Sequence, residues 1–268
     1  MNVLEQYKKT LLWWQSKNIK TEAELAEVFN GHIISFAYHS GNIENPNITY
    51  NDTREIFEHN GVTSYTGDLR TLYEIRNAKS ANDYFFKSFS SGQPLDEHFI
   101  KELQKNLTLN TYDSRRWSQG ERPGEYKKGD YVTGKNEVGA LAEDVAAEMQ
   151  ELLTDIQHVD NKDALLSAAF CHAKFENIHP FADGNGRTGR LVTNYFLVQH
   201  NHPPIVIHQE NRKQYFEALE AWDQKQELQL LLQFFQEQLV KTWSNQLLKL
   251  QNSKKRASFA KKDIDFSR

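Results

Sequence analysis

The chain has one cysteine, Cys171, among 268 residues. That excludes an intramolecular disulfide framework and a zinc site built on several thiolates, and leaves Cys171 to be read as a small buried hydrophobe. Proline is scarce at 6 residues and glycine modest at 13, so few breaks interrupt the helical patterning. No apolar run approaches the roughly 20 residues of a membrane-spanning helix, and mean hydropathy is −0.73. The opening MNVLEQYKKTLLWWQSK carries Glu5 and no small-residue cleavage site, so a secretory signal is not expected. The expected address is cytoplasmic, without membrane. Net charge is −4, which supplies no general attraction for nucleic acid.

Apolar residues recur at helical spacing through most of the chain. Helices are expected near 2–17, 21–42, 50–59, 68–89 and 96–107, with Asn51 or Asp52 capping the third and Asp96 the last. Val138, Leu141, Val145, Met149, Leu152 and Ile156 form a stripe over 137–157. Residues 161–177 read as a buried central helix, and 226–250 as a long amphipathic one. One segment breaks the pattern: at 124–134, Tyr126 and the pair Tyr131–Val132 flank turn-prone Lys128-Gly129-Asp130, which predicts a short β-hairpin. The basic end, with Lys254, Lys255, Arg256, Lys261 and Lys262, reads as a flexible solvated tail. The fold class expected is mainly α with one hairpin.

The densest chemistry lies in His179-Pro-Phe-Ala-Asp-Gly-Asn-Gly-Arg-Thr-Gly-Arg190. A glycine-rich loop feeds a helix there, and free N–H groups with the positive dipole end make such a place an anion site. Gly184 and Gly186 permit close approach of phosphate oxygens. Arg187 and Arg190, three apart, share a helical face and one polyphosphate. Asp183 is a hard oxygen ligand suited to Mg²⁺ shared with phosphates. His179 is the one side chain here whose ordinary pKa lies near neutrality, as a general base requires. Singly, each has an ordinary explanation: a structural histidine, a solvated arginine face, an Asp-Gly turn. Together, within twelve residues, they point to catalysis on a phosphorylated substrate.

These twelve residues match the signature of the Fic family, HxFx(D/E)GNGRxxR, at every specified position, and the chain resembles that family over most of its length. The similarity extends to His172 and Glu176, to the hairpin, and to Arg212–Asp223. It implies a Fic-type helical bundle with a hairpin flap: an N-terminal helical region at 1–60, a catalytic domain at 61–250 and a tail at 251–268, forming one compact unit. It implies transfer of AMP from ATP, with Mg²⁺ or Mn²⁺, to a Tyr, Thr or Ser hydroxyl of a target protein docked along 124–134. By position, His179 would take the hydroxyl proton and Asp183 hold the metal. Asn185 and the loop amides would cradle the α- and β-phosphates, Arg187 the β side, Arg190 the γ-phosphate, and Phe181 would anchor the loop. Val132, Thr133 and Gly134 would border the nucleotide, with Tyr215 and Phe216 lining the adenine pocket and Asp223 near it.

Upstream, Ser40-Gly-Asn-Ile-Glu44-Asn45 resembles the family's inhibitory motif, (S/T)xxxE(G/N). Ser40 and Glu44 share a helical face, and Pro46 helps end that helix. The resemblance implies that Glu44 pairs with Arg190 as a buried pair whose disruption has a large effect, and makes Glu44 a candidate for the reverse removal of AMP. Members of that family often form dimers or larger assemblies, which makes a homo-oligomer a further candidate partner and leaves the oligomeric state open. Competing readings are a Fic enzyme transferring another phosphate-containing group and a nucleotide-sensing binding module. Phosphate-transferring Doc relatives depart from the intact Gly-Asn-Gly-Arg seen here, and phosphate binding alone does not require His179. A zinc hydrolase lacks HExxH spacing, since His172 and His179 are seven apart. A nucleic-acid reader lacks any recognisable motif.

Overall fold

The computed structural model describes residues 2–29, 31–131, 139–157 and 163–265, with side chains as far as residue 249. Among the described residues there are twelve α-helices and no strand: α1 Val3–Gln15, α2 Glu22–Phe29, α3 Ile33–Glu44, α4 Tyr50–His59, α5 Leu69–Ser90, α6 Glu97–Thr108, α7 Ser114–Ser118, α8 Val145–Asp155, α9 Ala164–Ile178, α10 Asn185–Gln199, α11 Arg212–Lys225 and α12 Gln229–Asp265.

Helix α9 is apolar around most of its surface and packs against α8, α10, α11 and α12, as a helix without a polar face must. Its buried Ala168, Ala169, Ala173 and Phe175 belong to one continuous core. Helix α10 returns against it and also meets α3, α5 and α6. Tyr195 joins these layers: its ring stacks on Phe99 at 4.0 Å between centroids, and its hydroxyl donates to Gln93 O. The N-terminal α1 packs along α12 through Trp13, Trp14 and Trp243. The Trp243 indole N–H donates to Pro204 O at 2.8 Å. Trp14, Leu25, Phe29, Phe36 and Ile43 thus belong to the same core as α9 and α10, and Ile48, Ile56 and Ile75 form a small separate cluster under α4.

Several boundaries move for identifiable reasons. The expected 21–42 helix is two, parted where Gly31 takes φ +84°. Helix α4 is capped by Thr49, whose hydroxyl accepts from Asp52 N–H, not by Asn51 or Asp52. Asp96 caps α6 as expected. The stripe at 137–157 becomes helical only at Val145; Leu141 is exposed, and Val138 lies outside the described residues. The backbone of 251–265 continues α12 as helix instead of leaving the bundle as a coil. Its Lys, Arg, Ala and Gln are good helix formers, with neither Gly nor Pro to stop them.

The hairpin is not present among residues 124–131. The expected turn is gathered on a side chain instead: Lys128 N–H and Gly129 N–H both donate to Glu121 Oε1, as does the Tyr131 hydroxyl at 2.6 Å. Lys127 N–H donates to Pro180 O at 2.9 Å. A buried carboxylate has replaced the partner strand and pinned the segment beside His179-Pro180. Val132, Thr133 and Gly134 lie outside the described residues.

Two fully buried histidines bear on stability. His172 bridges Thr193 Oγ1 and the Tyr215 hydroxyl, and His202 bridges the Tyr7 hydroxyl and Pro203 O. Burial pushes them down to about 3 and about 4 respectively. Both are neutral in the folded chain, whereas unfolded histidine protonates near pH 6.5, so their contribution is present above that pH and lost on acidification. Replacing His202 by Gln should shrink the stability lost between pH 7 and pH 5 by about 2 kcal/mol, measured by urea unfolding at the two pH values.

Candidate active site

The site lies where the C-terminus of α9, the 179–184 loop and the N-terminus of α10 meet α3, α5 and α6. His179 ends α9 in the left-handed region, φ 52°, a conformation held only when its surroundings dictate it. Its N–H still closes on Phe175 O, and the carbonyls on either side of it, Ile178 O and Pro180 O, accept from Ala140 N–H and Lys127 N–H. Burial first, then the nearby Lys127 charge, push His179 down to about 4. The imidazole is thus a free base at neutral pH.

Phe181 is fully buried and anchors the loop as anticipated. Asn185 is also structural. Its Oδ1 accepts from Phe181 N–H at 2.8 Å and its Nδ2 donates to Phe181 O at 2.7 Å. The Asn185 side chain closes the loop with one of its two amide N–H groups, and its second N–H and its backbone N–H are the donors left for an anion. Gly184 precedes it at φ +80°, where a Cβ would stand 2.6 Å from Thr108 Cγ2. No side chain caps the first turn of α10, so its leading N–H groups remain available to an anion.

Arg187 and Arg190 are both only 5% exposed. Arg190 Nε donates to Ser40 Oγ at 2.9 Å, and its Nη2 donates to Ser40 O and to Glu44 Oε1 at 2.8 and 2.9 Å. The expected shared face of Ser40 and Glu44 is therefore realised on Arg190. Burial would lower the Arg190 pKa, but Glu44, Tyr215 and Glu176 outweigh it and hold it up. A Cβ on Gly186 would lie 2.3 Å from Glu44 Oε1, so the Glu44 carboxylate fills the space over this glycine. The pair is buried on one side only: the Glu44 side chain is 38% exposed, which corrects the expectation of a mutually desolvated pair. At the far end of α3, Arg212 Nε donates to Ile43 O at 2.9 Å.

Glu176 stands under the same helix. Burial pushes its carboxyl up to about 8, so it carries a proton at neutral pH. Its Oε1, like Arg187 Nε and Nη1 and Arg190 Nη1, is buried with no hydrogen-bond partner.

Asp183 Oδ2 accepts from Arg70 Nη2 at 2.7 Å, and its Oδ1 from Gly184 N–H. Gln104 Nε2 holds its carbonyl. Among the described residues no group of three or more His, Cys, Asp or Glu is placed to hold a metal. One hard carboxylate fits a Mg²⁺ that arrives with phosphates and water as its remaining ligands, and not a resident ion.

Of the residues expected near an adenine, Tyr215 and Phe216 lie ring against ring, 5.1 Å between centroids, but differ in exposure. Tyr215 is 1% exposed, its hydroxyl bound to His172 Nε2 at 2.7 Å; it is core. Phe216 is exposed under the Arg212 guanidinium, 4.7 Å from its ring centroid. Asp223 accepts from Asn177 Nδ2, and burial raises its pKa. Sequence reasoning missed Arg70, Glu74 and Gln104, which act from helices α5 and α6 and carry no local motif.

The Fic/DOC family model matches residues 94–197, a span that contains this entire loop. That segment is of the Fic/DOC type. Proteins named Protein adenylyltransferase Fic from Drosophila persimilis and Drosophila erecta are 29% and 28% identical to it over 185 residues. Those alignments cover 68% of this chain but 34% and 35% of the relatives, so the chain spans about a third of their length. A Fic domain containing signaling protein from Bacteroides thetaiotaomicron shares the fold with a TM-score of 0.73 at 24% identity, covering 89% of this chain and 94% of that one. Fic-1 from C. elegans superposes with a TM-score of 0.74 at 18% identity, covering 94% of this chain and 73% of that one. The Fic fold thus extends on both sides of the matched segment.

Replacing Asn185 by Ala removes both bonds to Phe181 and leaves a buried N–H and C=O unpaired. The expected loss is about 2–4 kcal/mol of stability, read by chemical denaturation.

Proposed function

We propose that the chain transfers AMP from ATP to a Ser, Thr or Tyr hydroxyl of a target protein and that Glu44 restrains the reaction. The observation that carries this reading is the set of buried guanidinium nitrogens without a hydrogen-bond partner, Arg187 Nε and Nη1 and Arg190 Nη1, of which only Arg187 Nη1 has a carboxylate near, Glu74 Oε1 at 3.8 Å. They stand beside an uncapped helix N-terminus. Buried donors of this kind call for an acceptor, and a polyphosphate offers several on one chain. The relatives named adenylyltransferases make ATP the donor to test first.

In this reading the α10 amides and Arg187 hold the α- and β-phosphates, and Arg190 takes the γ-phosphate once Glu44 leaves. Asp183 is the carboxylate that would hold Mg²⁺ or Mn²⁺, which supplies charge neutralisation between the phosphates. His179 Nε2 or Nδ1, whichever faces the substrate, accepts the proton of the incoming hydroxyl. The hydroxyl oxygen then bonds to the α-phosphorus, and the bond from that phosphorus to the α–β bridging oxygen breaks. Pyrophosphate departs and AMP remains on the target. The Glu44 carboxylate, seated over Gly186 and bound to Arg190, occupies space and charge that the terminal phosphate needs, so ATP binds without productive alignment. Phe216, exposed near the end of α3, is the aromatic left to face a nucleobase.

Incorporation of label from α-labelled ATP tests this, with wild type, Glu44→Gly and Glu44→Gly/His179→Ala compared alone and with cell extract. Weak labelling by wild type, labelling at least tenfold stronger by Glu44→Gly and none by the double variant are expected. A Glu44→Gly chain that labels nothing would overturn the proposal. Because His179 is already neutral well below pH 6, Glu44→Gly activity should not fall on acidification from pH 8 to pH 6. A free histidine base near 6.5 would lose more than half its activity over that range.

A further inference from the structure

Asp183 is the lone carboxylate of the loop, and in this structure its oxygens are already taken. Arg70 Nη2 donates to Oδ2 at 2.7 Å, Gly184 N–H donates to Oδ1 at 2.7 Å, and Arg187 Nη2 lies 3.4 Å from Oδ1. Arg70 reaches in from the first turn of α5 and is held in turn by Glu74, Nε to Oε1 at 3.2 Å. Glu74 is only 5% exposed. Its other oxygen accepts from Asn45 Nδ2 at 2.7 Å, and Asn45 Nδ2 also reaches Thr71 Oγ1.

Asn45 directly follows Glu44. Two adjacent side chains at the end of α3 therefore bear on opposite ends of the site. Glu44 acts on Arg190 by contact, whereas Asn45 acts on Asp183 through Glu74 and Arg70. A divalent cation approaching Asp183 meets a guanidinium at hydrogen-bond distance from the oxygen it needs, and like charges repel strongly in so confined a place. The Arg70 side chain is 45% exposed, so its guanidinium has solvent to turn into, whereas Glu74 is buried. If Asn45 withdraws, Glu74 Oε2 loses its donor. The guanidinium can then satisfy both oxygens of Glu74 as a fork, which draws it off Asp183.

We infer that Arg70 is a movable guard on Asp183, keeping divalent cations out of the loop while α3 is seated and turning to Glu74 when Asn45 leaves. This rests on the reading of the loop as a polyphosphate site with Asp183 as its cation ligand. It makes Arg70 and Asn45 positioning residues that regulate metal entry, a restraint separate from the one Glu44 places on Arg190.

The test is Mn²⁺ titration of the full chain in the presence of a saturating non-hydrolysable ATP analogue, with free Mn²⁺ read by electron paramagnetic resonance. Arg70→Gln, at a half-exposed position where the fold is not at risk, should bind Mn²⁺ roughly three- to tenfold more tightly than wild type. Asn45→Ala should shift affinity in the same direction by a smaller factor. The double variant should bind no more tightly than Arg70→Gln alone, because the two residues act in series. Unchanged affinity in Arg70→Gln overturns the guard, and weaker affinity overturns it by making Arg70 a phosphate ligand. Asp183→Asn separates the two levels: if it binds Mn²⁺ as wild type does, the reading of Asp183 as cation ligand fails, whatever Arg70 does.

Discussion

Everything at this site depends on burying two guanidinium groups beside the N-terminus of α10. Three positive features, Arg187, Arg190 and the helix dipole, crowd into one small volume, and such charge is tolerated in a protein only with compensation. In this structure the compensation is local and acidic. Glu44 and the Ser40 carbonyl meet Arg190, Asp183 and Glu74 lie within ion-pairing distance of Arg187, and Glu176 stays protonated instead of adding another charge. The place of α3 against α10 follows from that need, as does the bundle's use of α5 and α6 to supply side chains to a loop far away in sequence.

The part of this arrangement legible in the sequence is the part written in consecutive residues. His179, Asp183, Gly184, Gly186, Arg187 and Arg190 occur together because a loop-to-helix turn delivers them together. Ser40 and Glu44 could be paired because helical spacing puts them on one face. Asp96 announced its helix because a cap acts within three residues. Contacts made across the fold carried no such signal. Arg70 meets Asp183 only because α5 passes the loop, and nothing around Arg70 marks it out.

Other misreadings share a single cause, a side chain whose local chemistry fits two roles. Lys128-Gly129-Asp130 is turn-prone in either setting, but the Lys128 and Gly129 amides fold onto the Glu121 carboxylate. Asn185 sits where a phosphate ligand belongs, yet both ends of its amide close on Phe181. Tyr215 and Phe216 are neighbours on α11, which turns one inward onto His172 and leaves the other outside. Pattern reading places such residues on an element, and only packing decides which face is core.

Glu44 is part of the same chain as the arginine it binds, and that tether has a kinetic meaning. A carboxylate held on α3, with the helix end fixed by Arg212 on Ile43 O, behaves as a ligand at constant effective concentration. As an intramolecular contact it is not weakened by diluting the protein itself. In the function proposed above, a nucleotide that needs Arg190 would face an apparent dissociation constant raised by the inverse of the fraction of molecules in which Glu44 is away. The responsiveness of the site then lies in the seating of α3. Any partner that lifts that helix by a few kcal/mol would change nucleotide occupancy by orders of magnitude without touching the loop.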